Sequence, residues 1–297
     1  MNKSRRLLAF LIFCSIVMTA LPLSRNVYAM GENRTKLRKE KEVYKEKLTP
    51  ILQVVPETTQ PSTTTQQAKT TQTDGKIIQK KGYSYYKYKG GKLAKKKFIT
   101  IGKKTYYFNK KGIMEKGWVK KGEEYYYFDR NTGVLKYQCK VDGIYIKKDG
   151  TAKQTDYAKS KIETMITAKH IMQENTKVTD SKQIKLKKVF NWVLKHPYKR
   201  YRTLRSAKGK KGWEMVFAND VYQKGNGCCV SEASAFSFLA HECGYKEVYI
   251  CDDTGHAWTE INGKVYDTLF AEAKNYKKYY NSSYSTARLH RVGKTKI

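Results

Sequence analysis

One short pattern returns four times between residues 76 and 153, and it leaves this part of the chain few ways to fold. Tyr85–Tyr88 runs into Gly90 and Gly91, Tyr106–Phe108 into Gly112, Tyr125–Phe128 into Gly133, and Ile144–Ile146 into Gly150. The period of roughly 20 residues is that of a stacked repeat. Short aromatic runs bounded by glycine read as strands and turns. No such unit holds a core alone, so each has to bury its rings against its neighbours. Residues 76–153 are therefore expected to form an array of β-hairpins.

Residues 155–297 carry different signals, those of an α+β domain of ordinary size. Asp156 is placed to cap a helix carrying Ile162, Met165, Ile166 and Met172, and Asp180 or Ser181 to cap a second bearing Leu186, Val189, Phe190, Val193 and Leu194. Val230, Ala233, Phe236, Ala240 and Cys243 recur at helical spacing, with glycines before and after. Lys246–Cys251 reads as a strand. Residues 256–261 and 264–269 flank Asn262-Gly263, the dipeptide of a two-residue hairpin turn.

The chemistry gathers between Gly225 and Asp267. Cys228 and Cys229 fall at the start of the third helix, where unpaired amides and the helix dipole favour a thiolate. If Asn262-Gly263 forms the loop, Ile261 faces Lys264 and Trp258 faces Asp267. His256 and Asp267 then share one face as diagonal neighbours, within reach of each other. A thiol, an imidazole and a carboxylate in this order are the parts of a nucleophile, its base and the group that orients the base.

Two resemblances follow from these residues. Gly227-Cys228-Cys229-Val230-Ser231-Glu232-Ala233 resembles the G-x-C-x-x-x-A signature of transglutaminase-like proteins, and the GHAW around His256 and Val265-Tyr266-Asp267 resemble that family's His and Asp signatures. The resemblance implies a papain-like domain over 155–297, with Cys229 as nucleophile, His256 as base and Asp267 as its partner. It implies acyl transfer from a protein or peptide substrate, by hydrolysis or transamidation. Residues 76–153 resemble the cell-wall-binding repeats of Gram-positive surface proteins and clostridial toxins, in which aromatic rings build ligand sites between hairpins. Tyr106, Tyr107, Trp118, Tyr126 and Tyr127 match that aromatic pattern, and Gly117-Trp118 keeps its Gly-Trp pair. A cell-wall polymer is the partner this implies.

The remaining segments set the compartment. Lys3, Arg5 and Arg6, the apolar run Leu7–Leu23 and Val27-Tyr28-Ala29 read as a signal peptide over 1–29, leaving no stable membrane span after cleavage. Residues 30–75, rich in Thr and Gln over their second half, read as a disordered linker. The formal charge is +34, and loss of Lys3, Arg5, Arg6 and Arg25 with the signal leaves +30. Such a field draws polyanions; the chain has no nucleic-acid motif, and secretion points instead to anionic cell-wall polymers or lipid head groups. Adjacent cysteines chelate poorly and no C-x-x-C pair occurs, so neither a metal nor a cofactor is expected. The expectation is a secreted, cell-wall-associated cysteine enzyme; the alternative is a catalytically inactive cell-wall-binding or scaffold protein.

Overall fold

The computed structural model describes residues 74–297. The expected signal peptide, and all of the expected linker except Asp74 and Gly75, lie outside the described residues.

Four two-stranded antiparallel hairpins come first. They are β1 (Gly75–Lys80) with β2 (Tyr83–Tyr88), β3 (Lys97–Ile101) with β4 (Lys104–Phe108), β5 (Gly117–Lys121) with β6 (Glu124–Phe128), and β7 (Cys139–Val141) with β8 (Ile144–Ile146). Lys81-Gly82 and Asp142-Gly143 close the first and last in two residues, all four at positive φ. That is the turn whose twist suits paired strands.

The hairpins are laced together by backbone. Met114 N–H donates to Ser84 O at 2.8 Å, Leu135 N–H to Thr105 O at 2.8 Å and Ala152 N–H to Tyr125 O at 2.8 Å, so each connecting segment bonds the hairpin before the one it follows. The turns between units pack as closely: a Cβ on Gly133, at φ +73°, would lie 2.5 Å from Met114 Sδ. Tyr86, Ala94, Ile99, Tyr106, Phe108 and Met114 fill the core between the first two hairpins. Val119, Phe128 and Leu135 fill the next, under Phe98, Tyr107, Tyr126 and Tyr137.

A helical and sheet region follows. Its helices are α1 (Asp156–Asn175), α2 (Lys182–Val193), α3 (Leu204–Ala207), α4 (Trp213–Lys224) and α5 (Cys229–Glu242), and then the short α6 (Thr268–Ala273), α7 (Tyr276–Tyr279) and α8 (Tyr284–Ala287). The strands β9 (Val248–Asp252), β10 (Ala257–Ile261), β11 (Lys264–Tyr266), β12 (Tyr280–Ser282) and β13 (Gly293–Lys296) form one antiparallel sheet in the order β12-β11-β10-β9-β13.

Thr155, not Asp156, caps α1, its hydroxyl accepting from Ala158 N–H at 3.1 Å; Ser181 caps α2. Asp180 instead receives Lys177 N–H at 2.8 Å and Lys188 Nζ at 2.6 Å.

Helix α5 occupies the middle. The sequence predicts one apolar face, yet every residue except His241 is buried. The reason is enclosure, since α1, α2 and α4 pack on one side and β9 and β10 on the other. Ser234 and Ser237, polar positions in the sequence pattern, are fully covered. Phe190 on α2 meets Phe236 on α5 and Tyr280 on β12 at centroid distances of 5.0 and 4.9 Å. Burying each large ring contributes about 1.5–3 kcal/mol.

Hairpins and helices share buried contacts. Trp118 Nε1 donates to Asp142 Oδ2 at 2.8 Å, and Asp142 Oδ1 lies 3.0 Å from His241 Nε2 on α5. Arg130 grips Glu242, next along α5, through two bonds of 2.6 and 2.8 Å. Lys169 on α1 donates to Trp118 O at 2.8 Å and to Glu115 at 3.2 Å. Burial opposes ionisation of Asp142, but His241, the Trp118 N–H and nearby Arg130 outweigh it and hold the carboxyl at about 2.

Candidate functional site

Two places in the described residues gather chemistry. The first lies on the hairpin array. Phe98 on β3 sits 5.0 Å from Tyr107 on β4 and 5.2 Å from Tyr126 on β6, centroid to centroid. Phe128 closes the base, 6.2 Å from both Phe98 and Tyr107. Phe98, Tyr107, Tyr126 and Tyr137 are only partly buried, so their rings still reach solvent. The ammonium of Lys121 rests 5.4 Å from the Phe98 centroid. One ring of the cluster thus already faces an ammonium group, as aromatic faces attract cations through their quadrupole.

This cluster holds two of the five rings expected from sequence, Tyr107 and Tyr126. The other three are elsewhere. Tyr106 is in the core between the first two hairpins. Trp118 is 1% exposed, bound through its indole N–H to Asp142 and covered from the side of α1. Tyr127 is buried edge-on against Trp118 at 5.1 Å. Alternation along β4 and β6 turns Tyr106 and Tyr127 to the opposite faces of their strands from Tyr107 and Tyr126. Sequence reasoning missed Phe98 and Tyr137; the signal for Phe98 was its register opposite Tyr107.

The second place lies at the head of α5. Cys228 is its N-cap and Cys229 its first residue. The two thiols hydrogen-bond to each other, and Cys228 faces the Val230 and Ser231 amides. Cys229 faces the amide of Ala257, the residue after His256. The hydrogen bond from Cys229, helped by the two amides and opposed by burial, pulls Cys228 down to about 5. The same shared bond, with burial, pushes Cys229 strongly up. The shared hydrogen bond, with the Ser231 hydroxyl beside it, thus favours the thiolate at Cys228 rather than at the expected nucleophile.

The His–Asp contact is direct: His256 Nε2 lies 2.6 Å from Asp267 Oδ2. It does not arise as a diagonal across paired strands. The hairpin has the expected turn, with Ile261 opposite Lys264 and positive φ at Asn262 and Gly263, but β11 stops at Tyr266. Asp267 instead caps α6, its Oδ1 accepting from Phe270 N–H at 3.0 Å, which leaves Oδ2 for the imidazole. His256 is fixed from both sides. Its own N–H donates to Asp253 Oδ1 at 2.6 Å, and its ring stacks on Phe270 at 4.0 Å with 9° between planes. Lys274 Nζ lies 3.4 Å from the same Phe270 centroid. Phe270 and Lys274 had no sequence signal of their own.

Helix α5 is tied to the strand that follows His256. Thr259 Oγ1 donates to Ala233 O at 3.0 Å and lies 3.0 Å from Ser237 Oγ. On the other side Tyr222 of α4 donates to Ala235 O at 2.6 Å. One turn along from the thiols, Glu232 is 1% exposed, and neither of its oxygens meets a well-formed donor. Burial pushes its carboxyl up to about 8, helped by Glu272 and Asp267 and opposed by the Thr268 side chain. The five described cysteines, Cys243 and Cys251 included, are free thiols. Among the described residues no helix is long and apolar enough to cross a membrane.

Residues 96–137 match the family model of the choline-binding repeat. The matched segment runs from just before Phe98 to Tyr137 and so contains the whole aromatic cluster. The second and third hairpins are thus repeats of the cell-wall-binding type. Among solved structures, choline binding protein F from Streptococcus pneumoniae is 25% identical, with 26% of this chain and 26% of that one covered at a TM-score of 0.25. The choline binding domain of Spr1274 from Streptococcus pneumoniae is 24% identical, with 26% and 93% covered and a TM-score of 0.25. The pneumococcal cell wall endolysin from phage Cp-1, solved with choline, is 23% identical, with 30% and 28% covered and a TM-score of 0.25. The chain spans about a quarter of the length of choline binding protein F. No curated protein sequence matches it.

Proposed function

We propose that the protein is a secreted cell-wall-binding protein whose hairpin array holds choline groups of the wall on the cluster Phe98, Tyr107, Tyr126 and Tyr137. One observation carries this reading: the segment matching the choline-binding repeat coincides with a partly exposed aromatic cluster that already takes a cation. A quaternary ammonium has no N–H and is weakly hydrated, so ring faces can replace its water with little loss. Co-sedimentation with purified choline-bearing walls tests the proposal. The protein should pellet with the walls and be released by free choline, and Tyr107→Ala with Tyr126→Ala should leave it in the supernatant. Pelleting that ignores choline and follows salt alone would assign binding to the net positive charge instead.

A second reading, for which the His256–Asp267 contact and the thiols at the head of α5 speak, is acyl transfer by a transglutaminase-like, papain-like domain. Here Cys229 passes its proton to His256 and attacks a carboxamide or peptide carbonyl. The C–N bond breaks as His256, held by Asp267, gives its proton to the departing amine. Water or an amine then attacks the thioester, His256 takes up the attacker's proton, and the C–S bond breaks with Cys229 leaving as the thiolate. Without a functioning triad the domain is an inert passenger of the array, and the chain is the scaffold form of the same wall-binding protein. Alkylation at pH 6 separates the two. An active triad gives rapid labelling of Cys229, read by peptide mass spectrometry, that slows at least tenfold in His256→Ala, whereas a passenger domain labels Cys229 slowly in both.

A further inference from the structure

The segment from Lys195 to Lys211 contains eight lysines and arginines and no acidic residue. It is not simply a solvated run, because its first part is bonded beside the thiols. Lys199 N–H donates to Gly227 O at 2.8 Å and Gly227 N–H to Pro197 O at 3.3 Å, so Pro197–Lys199 lies parallel to the residue before Cys228. Tyr201 Oη donates to Asn226 Oδ1 at 2.5 Å, anchoring the next turn.

Arg202 and Lys224 share the buried Asp220, which also takes the Ser231 hydroxyl at 3.3 Å; Ser231 Oγ in turn lies 3.6 Å from Cys228 Sγ. Lys199 and Lys224 lie 5.1 and 4.0 Å from the Tyr201 centroid. Two cations thus share one buried carboxylate, and a third, Lys199, joins Lys224 on the Tyr201 ring beside the thiol site.

Arg200 is exposed and follows directly on Lys199. Its guanidinium donates to Tyr198 Oη at 3.0 Å, which aims the fork, and both thiols act on its charge. Tyr198 and Tyr201 remain 48% and 38% exposed. A guanidinium so placed, with no carboxylate partner among the described residues, has the geometry to receive a carboxylate in a two-pronged pair.

We infer that the strip Tyr198–Arg202, with Arg200 at its centre, is the acyl-donor subsite of the thiol centre, and that it selects peptides bearing a carboxylate within a residue or two of the reacting amide. This rests on the acyl-transfer reading. An acidic peptide is favoured over a phosphodiester polymer for two reasons. The strip adjoins the thiols, where an amide must lie, and the cations nearest them form a compact group around Tyr201, fitted to one or two carboxylates.

Two measurements keep the inference and the reading apart. In the first, dye-labelled peptide amides with Glu or Gln beside a central Gln are bound to full-length Cys229→Ser protein and followed by fluorescence anisotropy. The Glu peptide should bind at least tenfold tighter than its Gln twin and lose most of that margin in Arg200→Gln. Lys264→Gln, in the exposed hairpin turn at the far end of β10, should leave the margin intact. Equal binding of the two peptides, equal loss in Lys264→Gln, or preference for a glycerol-phosphate oligomer would overturn the inference.

In the second, the wild-type thiols are treated with anionic and cationic methanethiosulfonates of similar size. The anionic reagent should react three- to tenfold faster at low salt, and the ratio should collapse in Arg200→Gln. Thiols inert to both reagents would refute the acyl-transfer reading, while the anisotropy result stands on its own.

Discussion

Glu232 is a carboxyl without water, one helical turn from the thiols. Its raised value fixes the sign of a pH effect. The folded chain binds a proton at Glu232 up to about pH 8, whereas an unfolded glutamate releases it near 4.5. The stability this gives is fully present below about pH 4.5 and is lost as pH rises through about 8. Glu232→Gln, which keeps the shape and removes the titration, should leave the melting temperature at pH 4 nearly unchanged and raise it by several degrees at pH 9. A variant less stable than wild type at pH 9 would mean that the carboxylate is held by a donor. On the array, Lys121 occupies a ring face that a ligand cation would use. Lys121→Gln should tighten choline binding about two- to fivefold, in keeping with a solvent-exposed cation–π contact of about 0.5–1 kcal/mol. Calorimetric titration measures it, and weaker binding in the variant would mean that Lys121 supports the site rather than competing for it.

At the scale of elements, the joint between hairpins and helices depends on Glu242, which is nearly inaccessible and answered by a two-pronged Arg130. Arg130→Met leaves a buried carboxylate alone and should cost about 3 kcal/mol in urea unfolding, whereas the double change Arg130→Met with Glu242→Leu should recover most of it. A single variant within 1 kcal/mol of wild type, as isolated surface pairs give, would place the pair effectively in water.

What the sequence made legible follows the same scale. Local signals survived: the Asn262-Gly263 turn, the Ser181 cap, the cysteines at a helix head and the 20-residue hairpin period are each set by a few neighbouring residues. Long-range placement did not survive. Helix α4 escaped notice because Gly212 caps it without a side chain and its buried face carries Glu214 and Asp220. Strands β12 and β13 are three and four residues long, too short for alternation to register. Which tyrosines of each doublet stay partly exposed depends on where the neighbouring hairpins and α1 cover the array, and that is not written in the doublet itself. The His256–Asp267 contact was anticipated by a strand diagonal, yet it is made through a helix cap.

For the whole of residues 74–297, the array and the helical region behave as a single compact unit. Trp118, Asp142 and His241 run from hairpin to hairpin to the C-terminal end of α5, the helix whose other end carries the thiols. Calorimetry of this portion should therefore give one transition, with calorimetric and van't Hoff enthalpies in agreement. Two separated transitions would mean that the buried contacts between array and helices do not couple their folding.

The central claim is that the aromatic cluster is a choline site, and calorimetric titration of choline into the full chain tests it most directly. Saturable binding that disappears in Tyr107→Ala and Tyr126→Ala, and persists in Tyr106→Phe on the buried side of the same strand, is the result this account predicts. No saturable heat with the wild-type chain, or binding that outlives loss of both exposed tyrosines, would contradict it.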